Sequence, residues 1–251
     1  MMNALKKMIT AAAALVLAAV LAGCGGGIFS GLKGLGGSES ALQTLSRPAV
    51  ESAELHFAAP ASGDTIAVFD TSAGQFRAVL YPELAPQACQ NFITLAQQGY
   101  YNGLAVTRVE KDFVVEAGQG ADGRGTTIWN GSRYPAETSD KLHHYSGALC
   151  AGADASGQCA SVFYVMATLP GEASVTQELA EQMSAAGWRA EVISAYQTAG
   201  GAPYLDHTDT VFGQVYQGME VVDAMAQTAV DEAQRPTEPI TIQSVTITTC
   251  E

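Results

Sequence analysis

Arg108 sits in the β-rich stretch Val106-Thr107-Arg108-Val109, with Phe113 five residues on and Glu116-Ala117-Gly118 behind it. A lone guanidinium beside an apolar floor suits an uncommon chemistry, rotation about the peptide bond that precedes a proline. That bond resists twisting because nitrogen shares its lone pair with the carbonyl, a barrier of roughly 18–20 kcal/mol. A guanidinium N–H donated to the proline nitrogen draws on the lone pair and weakens the double-bond character. Such a reaction needs no cofactor, metal or nucleophile, and the chain carries no convincing signature of any. No Cys-x-x-Cys or His-x-x-x-His spacing suggests zinc. Asp154, Ser156 and His207 make a poor hydrolase, because no Gly-x-Ser-x-Gly elbow is present. His143-His144 lies in what reads as a polar turn, where solvated side chains are expected.

The elements around these residues are short. Residues 64–70 and 75–80 alternate and carry β-formers on either side of Thr71-Ser72-Ala73-Gly74, which predicts a hairpin. Residues 86–98 place Ala88, Cys89, Phe92, Ile93, Leu95 and Ala96 at helical spacing, with Pro86 in the first turn. Further strands are expected over 104–109, 113–117, 147–151, 161–167, 210–215 and 240–248, and a second helix over 219–226. Many short strands with two helices predict a mainly β fold, a closed antiparallel barrel whose ends the helices cap.

The segment from Thr107 to Gly118 resembles the cyclophilin motif F-H-R-x-x-x-x-F-[M]-x-Q-G-G, with Arg108 and Phe113 kept. Other fragments recur in cyclophilin order: Asn91-Phe92, Gly99-Tyr100-Tyr101-Asn102-Gly103, Phe163-Tyr164-Val165, Leu205-Asp206 with Val211-Phe212-Gly213, and Tyr216-Gln217-Gly218-Met219. The resemblance implies a cyclophilin-like barrel and peptidyl-prolyl isomerase activity without a cofactor. It casts Arg108 as the catalytic group and Phe113 as the floor under the proline ring. Val114 stands where the family usually has methionine. Glu116 replaces a glutamine that contacts the substrate backbone and steadies the arginine. A carboxylate there could hold Arg108 by a charge-assisted pair or occupy the donors the substrate needs, so the direction of its effect is open. Gly152 and Ala153 fall at the family's alanine and asparagine. Tyr164 is an aromatic wall, Tyr204 and Leu205 match a tryptophan–leucine pair, and Asp209 takes a histidine position at the pocket edge.

The ends of the chain speak to location. Lys6 and Lys7 precede an apolar run over residues 8–21, which closes in Leu21-Ala22-Gly23-Cys24. That pattern reads as a lipoprotein signal over residues 1–23, with Cys24 as the lipid-bearing residue. A Gly- and Ser-rich tether is expected over 24–62, before a domain over 63–251. The expected place is a cell membrane, lipid-anchored and facing outside the cytoplasm. The net charge of −13 argues against nucleic acid and anionic membrane surfaces as partners. Beyond Cys24, four cysteines (Cys89, Cys150, Cys159 and Cys250) invite disulfides, with Cys150 and Cys159 placed to staple a loop. Three pairings are possible.

Residues about 170–202 form an insertion within the resemblance. Leu179, Met183, Val192, Ile193 and Tyr196, interrupted by Gly187-Trp188, predict a broken helix or helical hairpin. Its ends join segments that carry pocket residues, so it is expected beside the groove as a wall or lid, with packing on the outside of the barrel as the alternative. The expected function is a monomeric, lipid-anchored isomerase that assists the folding of proline-containing exported polypeptides. The alternative is a proline-peptide binding module on the same fold with little turnover.

Overall fold

The computed structural model describes residues 47–170 and 174–251; the signal segment and Cys24 lie outside the described residues. Strands β1 (Thr65–Thr71) and β2 (Gly74–Leu80) form the expected hairpin. Its turn is fastened by Thr71, whose hydroxyl donates to the Gly74 carbonyl and accepts from the Ala73 amide. Helix α1 (Pro86–Gln97) follows. Ala85, just ahead of it, carries no capping side chain, and the free amides of Gln87 and Ala88 donate instead to the Glu137 carboxylate.

Strands β3 (Val106–Glu110) and β4 (Val114–Ala117) make a second hairpin. Next come β5 (Tyr134–Pro135), β6 (Ala148–Ala151), β7 (Gln158–Cys159) and β8 (Phe163–Met166). Helices α2 (Gln177–Ala185) and α3 (Ala190–Ala199) form the insertion. Strand β9 (Thr210–Gln217), helix α4 (Met219–Ala226) and β10 (Ile242–Thr249) complete the order.

Eight strands form one curled antiparallel sheet in the order β10-β1-β2-β9-β6-β8-β4-β3, and β5 pairs with β7 in a separate ribbon. The sheet is open, which corrects the expected closed barrel. Its edges, β10 and β3, never form a ladder. They touch at one corner, through an Ala105–Thr241 bridge and backbone bonds from Gly103 to Ile242, Ile242 to Leu104 and Val106 to Ile240. Phe69, Phe76, Phe92, Phe163 and Phe212 fill the concave side, joined by α1 and by Val222 and Met225 of α4.

A second apolar cluster covers the opposite face and includes Val79, Val114, Cys150, Tyr164, Met166 and Val211. This division explains the cysteines. All four described ones are free thiols. Cys150 belongs to the outer cluster and Cys159 to the inner one, so the expected loop staple is absent.

Two regions differ from expectation in what they pack against. Residues 47–62, read from the sequence as part of the tether, are fastened to the domain. Arg47 forks onto Asp223 at 2.9 and 2.6 Å, and Glu54 and His56 are buried. The insertion is the expected helical hairpin, opened by Thr176 capping the Leu179 amide and broken at Gly187. It is not a lid. Met183, Val192, Ile193 and Tyr196 close a third cluster with Tyr145 and Phe57, and neither α2 nor α3 contributes to the cluster that holds Phe113, Tyr164 and Leu205.

Candidate active site

Arg108 reaches the outer face because β3 is irregular. Val106 faces the inner core, and strict alternation would send Arg108 inward as well. A register shift between Val106 and Arg108 inserts Thr107 as an extra residue, so Arg108 points outward while Val109 returns to the core. From there the pairing is regular. Arg108 lies opposite Glu116, Glu116 opposite Tyr164, and Tyr164 opposite Cys150. One row of side chains thus crosses β3, β4, β8 and β6 on a single face. The next row holds Glu110, Val114 and Met166.

The guanidinium is held by two carboxylates. Its Nε donates to Glu116 Oε2 at 3.3 Å and its Nη1 to Glu110 Oε2 at 3.0 Å. Nη2 has no bond to any described residue. Glu116 accepts a further, long bond from Gln119 Nε2 at 3.5 Å. The sequence reading anticipated the Glu116 contact and missed Glu110 and Gln119. Glu110 was accessible to it, because residues two apart on a strand share a face.

Phe113 is half-buried at the end of the β3–β4 turn, and its ring lies 6.4 Å from that of Tyr204, 21° from parallel. Tyr204 is exposed on a 3-10 turn, Pro203–Leu205, with Leu205 half-buried beside it. Partial burial, and then Glu110, raise the Tyr204 phenol above its ordinary range. Val114 is fully buried, so it supports the face from beneath.

Tyr164 is buried too, and its hydroxyl donates to Asp209 Oδ2 at 2.7 Å. Burial pushes that phenol well up, with Cys150 and Asp209 adding to the shift. The other Asp209 oxygen accepts from the Ala153 amide at 3.1 Å. Asp209 therefore ties the 152–153 loop to the wall, and the Ala153 N–H is already used. Gly152 lies over the Tyr164 ring, which a Cβ there would meet at an ordinary 3.7 Å. Phe113, Val114, Tyr164 and Leu205 share the outer cluster and Glu116 lies in the same row, whereas Ala153 packs against the inner core.

His143 and His144 are not solvated, contrary to the sequence expectation. Both are buried around Asp206, a residue the sequence reading used only as a motif letter. Asp206 accepts from His143 Nδ1 at 2.7 Å, from His144 Nδ1 at 2.8 Å, and from the His144 amide at 2.9 Å. The Tyr196 hydroxyl stands 2.8 and 2.9 Å from its two oxygens. Burial would raise this carboxyl, but the hydrogen bonds from the two histidines outweigh it and hold Asp206 well below the usual carboxylate range.

Residues 66–247, which span the curled eight-stranded sheet and this outward face, match the family described as cyclophilin type peptidyl-prolyl cis-trans isomerase/CLD. The chain belongs to the cyclophilin family. A Staphylococcus saprophyticus protein provisionally named a peptidyl-prolyl cis-trans isomerase is 33% identical over 184 residues, which cover 72% of this chain and 90% of that one. A Staphylococcus aureus protein named in the same way is 30% identical, with 74% and 92% covered. Among solved structures, a Cryptosporidium parvum cyclophilin type peptidyl-prolyl cis-trans isomerase superposes with a TM-score of 0.58 at 18% identity, covering 75% of this chain and 99% of that one. The structural match speaks to the fold. Family membership makes this cyclophilin a peptidyl-prolyl cis-trans isomerase.

Proposed function

We propose that this cyclophilin is a monomer anchored by lipid on Cys24 outside the cytoplasm, and that it isomerises proline-containing stretches of exported polypeptides. The observation that carries the site reading is the Arg108 guanidinium at the head of the outward row, with no described residue bonded to Nη2, on the face that also carries Phe113. In this reading the proline ring rests on Phe113, with Leu205 and Tyr204 at the rim and Val114 beneath. Nη2 donates to the proline nitrogen as it turns pyramidal. Glu116, directly across the ladder and bonded to Nε, keeps the guanidinium aimed, so little reorganisation is needed when the bond twists. The gain acts on a process that otherwise takes roughly tens to hundreds of seconds. The anchor rests on the apolar run before Leu21-Ala22-Gly23-Cys24.

The test is isomerisation of a proline peptide by the full chain and by Arg108→Ala. Loss of a transition-state donor is expected to reduce kcat/KM by about a hundredfold; equal rates above background would reject the mechanism. For the anchor, Cys24→Ser is expected to abolish membrane fractionation, and wild-type protein without lipid, recovered wholly from the medium, would reject it. A second reading, a proline-peptide holder with little turnover, draws on the two carboxylates that already occupy Nε and Nη1. It predicts tight peptide binding that Arg108→Ala leaves without a rate consequence.

A further inference from the structure

The insertion stands apart from the groove by packing but is joined to it by one buried polar centre. Asp206 follows Leu205 directly, and its carboxylate is almost wholly buried. The backbone around it is a compact turn: Leu205 N–H donates to Ala202, Asp206 N–H to Pro203, and both Thr208 and Asp209 N–H to the Leu205 carbonyl. This turn carries Tyr204, Leu205 and Asp209, three residues of the groove rim. Its internal bonds fix its shape, and two side chains set its attitude on the sheet: Asp209, through Tyr164 and Ala153, and the buried Asp206.

Three residues hold that side chain through four groups, and they come from two places. His143 and His144 belong to the segment ahead of β6. His144 also stacks near the Tyr164 wall, with ring centroids 6.4 Å apart and planes 22° from parallel. The third residue is Tyr196, in α3 of the insertion, which acts through its hydroxyl. Tyr196 is fully buried, and its single proton is shared between the two carboxylate oxygens. The end of α3 is itself pinned. Ala202 N–H donates to the His144 carbonyl, Ser146 N–H donates to the Gly200 carbonyl, and a Cβ on Gly201 would collide with the His144 carbonyl. The hydroxyl is therefore presented from a fixed helix to a fixed acceptor.

We infer that Tyr196 is a positioning residue for the groove: through Asp206 it sets the rim turn that carries Tyr204, Leu205 and Asp209 in the attitude that receives a proline peptide. The inference rests on reading 204–209 as the rim. It gives the insertion a function that needs no cover over the groove mouth. Because Tyr196 touches neither Arg108 nor Phe113, its effect falls on binding at the rim and leaves the twisting step alone.

Tyr145 supplies an internal control. Its ring packs with centroids 4.5 Å from that of Tyr196 in the same cluster and is equally buried, yet its hydroxyl has no hydrogen-bond partner among the described residues. Tyr196→Phe and Tyr145→Phe thus remove the same atom from neighbouring rings, with Asp206 as the difference.

In the full chain, Tyr196→Phe is expected to raise KM for a proline peptide about fivefold, part of the worth of one hydrogen bond to a charged acceptor, with kcat within twofold of wild type. Tyr145→Phe is expected to change neither. If Tyr196→Phe folds poorly, Asp206→Asn keeps the side-chain shape, weakens the acceptor and is expected to raise KM in the same direction. An unchanged KM in the folded variants, or an equal rise in Tyr145→Phe, would overturn the inference in favour of simple core packing. Should the wild type bind peptide without turning it over, the catalytic reading fails alone, and the Kd across the same proteins decides the rim by the same criterion. A wild type that neither binds nor turns over overturns both.

Discussion

The molecule holds its charges in two very different ways. Around Arg108 they are partly wet: the arginine side chain is 31% exposed, Glu110 45% and Glu116 17%. Around Asp206 they are dry, with Asp206 and His144 each 1% exposed and every bond to the carboxylate 2.9 Å or shorter. Exposed ion pairs are worth little and can be exchanged for water or a ligand. Buried ones cannot be opened without stranding their partners. The first arrangement suits a surface that must rebind with each substrate, and the second suits a fixed frame. Carboxylates thus hold an exchangeable surface in one place and a fixed frame in the other.

Removing one charge from each region should separate these roles. Asp206→Ala strands the Tyr196 hydroxyl, two imidazole donors and a backbone amide in a dry site. The expected loss of stability is about 3–5 kcal/mol, seen as a fall in Tm of roughly 10 °C for a domain of this size. Arg108→Ala, expected to remove most turnover, is expected to change stability by no more than about 1 kcal/mol. Denaturant titration of both proteins measures the contrast. Equal destabilisation would mean that the groove charges are part of the frame.

Acid should act on the dry region first, through His56. Its Nδ1 pairs with Gln214 Oε1, and its Nε2 accepts the His143 amide, which fixes the neutral ring. Burial is the main cause that lowers its pKa from 6.5 to about 4, against a weaker upward pull from Gln214. The unfolded chain therefore takes up this proton first as pH falls. Stability is expected to decline between about pH 6.5 and 4, by about 3 kcal/mol in all. Asp206, depressed rather than raised, gives up its own contribution only below the ordinary carboxylate range. His56→Gln should flatten the upper limb. A variant as pH-sensitive as wild type between pH 6.5 and 4 would assign that limb to another group.

These contrasts follow how much of each region could be seen in the sequence. Arg108, Phe113 and Glu116 lie within one short segment, so a local motif brings them together. Even there, the Thr107 bulge that turns Arg108 outward has no sequence mark, because it is set by the register with β4. The hairpins, α1 and α4 follow from periodicity and turn residues. Closure of the sheet does not, since it depends on whether two edges distant in the chain have matching lengths of free strand. The Asp206 centre is harder still. Its partners lie 10, 62 and 63 residues away, and His143-His144 reads as polar until a carboxylate is brought beside it. Glu110 is the instructive omission, because alternation alone placed it next to Arg108.

Glu110 is also where the smallest effect, and the sharpest test of the wet region, is expected. It pairs with Nη1, the nitrogen adjacent to the free Nη2, and it is the more exposed of the two carboxylates on the arginine. Glu116 sits directly across the ladder and holds Nε, so it orients the guanidinium; Glu110 stands at the mouth, where an incoming peptide carbonyl would compete for the same donor. Glu110→Gln keeps the length and one acceptor but removes the charge. For a neutral proline peptide, kcat/KM is expected to rise about two- to threefold at low ionic strength, in line with an exposed pair worth less than 1 kcal/mol. The gain should shrink as salt screens the charge in the wild type. A peptide with lysine beside the proline should show the reverse, because it loses an attractive carboxylate at the rim. If Glu110→Gln instead lowers kcat/KM for the neutral peptide at every salt concentration, Glu110 aims the arginine rather than competing for it, and the wet region is more rigid than its exposure implies.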